Sequence, residues 1–181
     1  MKKRQLAKRA KVLARSKSGN TVQIVVETPR GCRNKYKYDQ DTKRIKLSKV
    51  MPEGMIFPYD FGFIPGSCAE DGDPLDVLVL TDEPTFPGCE IDCRVLGVIK
   101  AYQKEEGEQN RNDRLIAVAE QSLLYGDMTD LSDLDPKVLK QIEAFFVNYQ
   151  KVRDVDVKIL ARKGAEEAMD IVTKARSRRA A

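Results

Sequence analysis

Asp71-Gly72-Asp73-Pro74-Leu75-Asp76-Val77 puts three carboxylates within six positions, directly ahead of the apolar run Val77-Leu78-Val79-Leu80. Few local structures satisfy both halves of this segment. Glycine tolerates positive φ and proline fixes φ, so the carboxylates belong to a tight turn. A short apolar run bounded by turn residues reads as a buried strand. Carboxylates crowded at a strand entrance repel one another, and a hard divalent cation with oxygen ligands, Mg²⁺ first among them, relieves the repulsion. Mg²⁺ takes one or two carboxylates and completes its shell with waters and phosphate oxygens, so the loop points to metal-assisted chemistry on a phosphate compound. The competing reading is an acidic surface turn, because Asp, Gly and Pro dominate turns in general. The third Asp and the apolar strand weigh against it. A calcium loop is excluded, since that motif needs Gly at its sixth position and Glu at its twelfth; counted from Asp71, those positions hold Asp76 and Asp82.

The chain has 181 residues and is most simply one domain with a real hydrophobic core. No apolar stretch is long enough to span a bilayer, and no secretory apolar segment stands near the N-terminus. Histidine is absent, which removes Ser-His-Asp and Cys-His nucleophile systems and leaves acid–base work to carboxylates, lysines or tyrosines. Cys32, Cys68, Cys89 and Cys93 contain no CxxC pair, so free thiols in a reducing cytoplasm are expected rather than a zinc site. Residues 1–17 carry eight Lys or Arg and no acid, and Lys174, Arg176, Arg178 and Arg179 follow the last acid, Asp170. A mildly acidic body, residues 18–181, thus follows a basic tail at 1–17. Leu6, Ala10 and Leu13 share one helical face of that tail. Basic tails bind polyanions, but no aromatic interleaves this one, which argues against nucleic acid.

Thr21 to Glu27 alternates β-branched residues and reads as a strand. Lys35 to Asp39 and Arg44 to Ser48 read as a hairpin turning through Gln40-Asp41-Thr42. Met51 to Gly66 reads as loop, with Phe57, Tyr59, Phe61 and Phe63 packed inward. Asp76 to Leu80, Ile91 to Lys100 and Leu115 to Ala119 are further strands, and Tyr102 to Asp113 is a polar loop. Asp135-Pro136 is a helix start, with a capping Asp before Pro at the first helical position. Leu139, Ile142, Phe145, Phe146 and Tyr149 continue it at helical spacing. A last helix spans about Ala165 to Arg176, with its cations at the C-terminal end. Short strands followed by late helices predict an α+β domain around a small antiparallel barrel.

These segments resemble the soluble inorganic pyrophosphatases of the Mg²⁺-dependent, barrel-forming type, family I. Asp71 to Val77 fits that family's signature at every position. Val25-Val26-Glu27, Asn34-Lys35-Tyr36, Phe61-Gly62-Phe63-Ile64-Pro65, Pro87-Gly88, Gly97-Val98-Ile99-Lys100 and Phe145-Phe146-Val147-Asn148-Tyr149 follow in family order, from about residue 20 to 175. The resemblance implies a five-stranded OB-like β-barrel with flanking helices in a cytoplasmic homo-oligomer, a hexamer or a dimer. It implies hydrolysis of pyrophosphate to two phosphates by Mg²⁺-activated water. Residue by residue, it implies Asp71 and Asp76 as metal ligands and Asp73 as the carboxylate that helps deprotonate the water. It implies Lys35 on the leaving phosphate, Tyr149 as a phosphate hydrogen-bond donor, Lys49 and Arg114 at substrate-binding positions, and Glu27 as a further site carboxylate.

The same comparison exposes departures. Lys37 stands where the family has a site Glu, and Phe61 where it has a phosphate-binding Tyr. Lys49 replaces an Arg and loses bidentate geometry. Gln103 and Asn112 align with two Asp of the metal cluster, and amide oxygens bring it no negative charge. Gln150 replaces a Lys, and Arg114 replaces another. The Tyr102–Arg114 loop is longer than the family pattern, so Glu105, Glu106, Glu108 or Asp113 can stand in for the missing pair. Besides the pyrophosphatase reading, two others follow: a catalytically weakened homologue serving as a phosphate-ligand-binding or subunit-partner protein, and a polyanion-binding OB-like protein acting through its basic ends.

Overall fold

The computed structural model describes residues 19–105 and 107–180; the basic tail at 1–17 and Glu106 lie outside them, as does the side chain of Glu105. The strands are β1 (Thr21–Thr28), β2 (Asn34–Asp39), β3 (Arg44–Val50), β4 (Asp60–Phe63), β5 (Asp76–Leu80), β6 (Glu90–Glu105), β7 (Glu108–Arg111), β8 (Arg114–Ala119) and β9 (Asp156–Gly164). Two helices, α1 (Pro136–Lys151) and α2 (Ala165–Ala180), complete the α+β domain. Five strands close on themselves in the order β1–β4–β5–β8–β6 and back to β1, while β2 and β3 form a separate hairpin. The expected OB-like ring and its flanking helices are present.

The ring is not purely antiparallel: β5 and β8 run parallel, with Leu78 beside Ile116. Strand direction cannot alternate all the way round an odd-numbered ring, so one parallel pair is unavoidable. β4 falls inside the segment read as loop. Gly62 in it lies so close to β1 that a Cβ there would stand 2.1 Å from the Val25 carbonyl oxygen, and glycine is the residue that permits such an approach. The 102–113 segment read as polar loop is instead the end of β6 turning back into β7, with Tyr102 opposite Arg111. β9, unforeseen, pairs with the outer half of β6.

Successive side chains of a strand point to opposite faces, and β5 shows why its apolar run is unbroken. Val77 and Val79 enter a core with Val22, Ile24, Val26, Leu115 and Ala117, to which α2 adds Ala168, Val172 and Ala175. Leu78 and Leu80 enter a second core with Leu96, Ile99 and Ile116, into which α1 packs Leu139, Ile142, Phe146 and Tyr149. Asp135 caps α1, accepting from the Lys137 N–H at 2.7 Å, with Pro136 at the first helical position. All four cysteines are free. Among the described residues no helix is long and apolar enough to cross a membrane.

Candidate active site

The Asp71–Asp76 turn forms as its composition requires. Gly72 adopts φ 87°, and Asp71 Oδ1 accepts the Asp73 N–H at 3.1 Å. Asp76 is the first residue of β5, so its position is fixed by the parallel seam with β8. The turn opens onto a cleft of about 170 Å³ whose lining includes Glu27, Lys35, Lys37, Asp71, Asp73, Asp76 and Arg114. Lys35 and Lys37 share one face of β2 by the period of the strand, and that face points here.

Each charged group in the cleft feels the others. Lys37 Nζ lies 3.0 Å from Asp73 Oδ2. Burial works against the Lys37 ammonium, but Asp73, Glu27 and Asp76 outweigh it and hold its pKa above the usual lysine value. Arg114 Nε lies 3.6 Å from Asp76 Oδ2. Burial raises the Asp71 pKa, and repulsion from Asp73 and Asp76 raises it further against the Asp73 N–H and Arg114. Glu27 is pushed up to about 7, chiefly by burial and secondarily by Asp76; the Tyr38 N–H, Lys35 and Lys37 oppose the rise. That N–H donates to Glu27 Oε1 at 2.6 Å.

Tyr149 is buried in the core beside Lys35 and stands outside the cleft lining. Its ring is 5.3 Å from Lys35 Nζ, and its hydroxyl is buried without a hydrogen-bond partner, as is Arg114 Nε. Phe61 is buried, with Lys35 Nζ 5.5 Å from its ring centre. Lys49 is exposed on β3, in register opposite Lys35 and outside the cleft lining.

Gln103, Asn112 and Gln150 line the cleft as a bonded set, with Arg153 and Arg114 at its ends. Arg114 Nη1 donates to the Asn112 side-chain oxygen. Asn112 Nδ2 and Gln150 Nε2 both donate to Gln103 Oε1, at 2.9 and 3.0 Å. Arg153 Nη1 donates to Gln150 Oε1 at 2.7 Å. The guanidinium ends orient every amide, and all three amide oxygens are turned onto N–H donors. Of the acids weighed for the 102–114 segment, Asp113 lines the cleft, with Oδ1 accepting from Arg111 Nε at 2.6 Å and from the Ala101 N–H at 3.1 Å. Glu108 is exposed on β7. Sequence reasoning missed Arg153; the loss of a cation at Gln150, one helical turn earlier, was the signal available.

Among the described residues, no group of three Asp, Glu or Cys side chains forms a ready-made cation cage. The donor set nevertheless fits a hard cation that needs few protein ligands. Asp71 and Asp76 are oxygen donors, close enough that the Asp76 charge raises the proton affinity of Asp71, and a cation relieves that repulsion.

A family model described as inorganic pyrophosphatase matches residues 24–180. The chain is 37% identical over 155 residues to an inorganic pyrophosphatase of Methanosarcina acetivorans, covering 86% of this chain and 90% of that one. It is 39% identical over 153 residues to soluble inorganic pyrophosphatase 2 of Chlamydomonas reinhardtii, covering 84% and 78%. The crystal structure of the Thermus thermophilus inorganic pyrophosphatase superimposes with a TM-score of 0.84 at 33% identity, over 91% of this chain and 94% of that one. This chain belongs to the inorganic pyrophosphatase family.

Proposed function

We infer that the chain hydrolyses pyrophosphate to two phosphates with Mg²⁺ in the cleft. The observation that carries this reading is convergence. Glu27, Lys35, the turn carrying Asp71, Asp73 and Asp76, and Arg114 come from four separate stretches of sequence and line one small cleft. Asp71 and Asp76 would hold Mg²⁺, which needs only one or two protein carboxylates. Bound there, Mg²⁺ supplies Lewis-acid polarisation of the phosphate and a lowered pKa for the attacking water. Asp73 would accept the proton of an attacking water. Lys35 holds the leaving phosphate, Arg114 the other, and Glu27 sets the local charge from behind. The buried Tyr149 Oη has no hydrogen-bond partner and the buried Arg114 Nε has only its longer ion pair with Asp76, which favours a ligand that bonds them, because such atoms are costly until bonded. Lys37 releases Asp73 when a phosphate takes the ammonium.

The amide set supports a slower enzyme than one with a full carboxylate cluster, because its oxygens bring no charge and already accept N–H donors. The working unit is a single domain, residues 18–181, in a cytoplasmic homo-oligomer, a hexamer or a dimer; exposed Phe86, Leu123 and Leu124 favour assembly. Phosphate release from pyrophosphate, with and without Mg²⁺, tests the reading. Mg²⁺-dependent release is expected; release no faster than from the Asp76→Asn variant overturns it and leaves a phosphate-binding homologue.

A further inference from the structure

Behind the cleft lies a second cavity of about 330 Å³, twice the cleft's volume, which shares Ala69 and Asp113 with it. Four cations line it, Lys100, Arg111, Lys174 and Arg178, against two carboxylates, Glu70 and Asp113. Three of the cations have partners: Lys100 pairs with Glu167, Arg111 with Asp113, and Arg178 with Glu70 at 3.5 Å. Lys174 makes no ion pair among the described residues. The excess of positive charge therefore sits in a concave space large enough to hold a ligand, where charged walls focus the field.

We propose that this cavity is a second binding site, for a multiply charged phosphate anion, and that its ligand acts on the cleft through Asp113 and the Cys68–Glu70 segment. Guanidinium groups pair with phosphate through forked N–H donors, and Arg111 and Arg178 bring two such forks to one space. Lys174 adds a point charge, and Tyr102, 5.3 Å from the Arg111 guanidinium, holds that fork against its ring. Both forks are tied to the cleft. Arg111 holds Asp113, which lines both spaces. Arg178 pairs with Glu70, the residue before Asp71, and donates to the Cys68 carbonyl at 3.4 Å. An anion that draws Arg111 away frees Asp113 for the cation side of the cleft, and one that draws Arg178 away loosens the approach to Asp71. The binding site stands independently of the hydrolytic reading; the coupling rests on it.

The test is calorimetric titration of the full chain without divalent cation, using sodium tripolyphosphate, orthophosphate and ATP as probes. Tripolyphosphate is expected to bind wild type and Lys35→Ala, which lacks a cleft cation, with similar affinity. Lys174→Glu/Arg178→Glu should weaken it by about tenfold or more. Lys174→Gln, an exposed helix position, gives a smaller loss and guards against misfolding of the double variant. Tighter binding of ATP than of tripolyphosphate identifies a nucleotide as the source; equal or weaker binding identifies the phosphate chain alone. Binding abolished by Lys35→Ala and untouched by the double variant overturns the site, because the anion is then in the cleft. Tripolyphosphate should also change the rate of pyrophosphate hydrolysis in wild type and change it less in Lys174→Gln, whose basal rate persists because both arginine ties to the cleft are intact. Binding at the second cavity with no change in rate overturns the coupling.

Discussion

One part of the cleft lining, the turn into β5, presents Asp71, Asp73 and Asp76, each touching a single partner: an N–H, the Lys37 ammonium and the Arg114 guanidinium. The other part presents Gln103, Asn112 and Gln150, which bond to one another and to two arginines. Both parts are polar and closely bonded, yet they offer a ligand different things. A carboxylate keeps its charge after forming one ion pair and can accept a cation as well. An amide whose oxygen already takes N–H donors has little left for a cation, and its remaining N–H groups suit an anion. On the proposed function, the acidic side of the cleft would take the metal and the amide and guanidinium side the phosphate.

Removing charge from the acidic part is the severest challenge to that division. Asp76→Asn is expected to lower Mg²⁺-dependent phosphate release by roughly 10²–10³, the scale seen when one preorganised electrostatic group is lost. Mg²⁺ titration calorimetry should show the matching loss of affinity, and unchanged affinity would take Asp76 out of the metal site. Converting the second part into the first is the reverse experiment. Gln103→Asp with Asn112→Asp should tighten Mg²⁺ binding and raise the rate by about tenfold, since effects within one site do not add. The same change breaks the amide bonds, and urea unfolding should register a loss of roughly 1–3 kcal/mol. A rate no faster than wild type would mean that Asp113 already completes the cation site.

Arg153→Ala tests the anion side. It removes a guanidinium bonded to Gln150, so the KM for pyrophosphate should rise by about 10-fold with little change in kcat, as for lost ground-state binding. A fall in kcat at constant KM would move Arg153 from substrate binding to the transition state. The smallest effect is a matter of pH. Glu27 has an ordinary pKa of 4.5 and is pushed up to about 7 in the fold, first by burial. The native state therefore holds the proton more tightly than the unfolded chain. The stabilisation is complete below 4.5 and is lost as pH rises through 7, a change of about 1–3 kcal/mol. Glu27→Gln should flatten the profile of Tm against pH in that window in metal-free protein; an unchanged profile would assign the pH dependence to other groups.

Four of the ring's five strands, both helices and the acidic turn were legible because each follows from short-range rules. β1, β5 and β8 carry apolar residues at strand period, and Asp135-Pro136 is a local cap. β4 was hidden because Asp60 to Phe63 is short and sits among Gly and Pro, and its pairing depends on Gly62 meeting a strand far away in sequence. β9 was hidden because Asp156 to Gly164 alternates charged and apolar residues weakly, and only the extension of β6 gives it a partner. In the cleft, the carboxylates were visible as a motif, whereas the bonding among Gln103, Asn112, Gln150 and Arg153 joins three elements and has no local signature. The position of Lys49 was equally unreadable: strand period places it on β3, but the fold turns that edge of the hairpin to solvent.

β6 carries a further consequence, for the order in which the molecule comes apart and together. Its seams join Ile24 to Ile91 and Val98 to Lys163. Such closures cost chain entropy before contacts repay it, so ring formation is slow for a chain of this length. Once formed, β6 is enclosed by β1, β8, β7 and β9, and its amide hydrogens exchange with solvent only through global opening. The β2–β3 hairpin belongs to a separate sheet, tied to β1 through the Tyr36 N–H on Thr28 and the Tyr38 N–H on Glu27, and hydrogen exchange is expected to find it opening at lower cost. Lys35 and Lys37 thus ride on a hairpin outside the ring, while Gln103 rides on the strand that joins most of the sheet, and local opening of the one would admit substrate without disturbing the frame that holds the other.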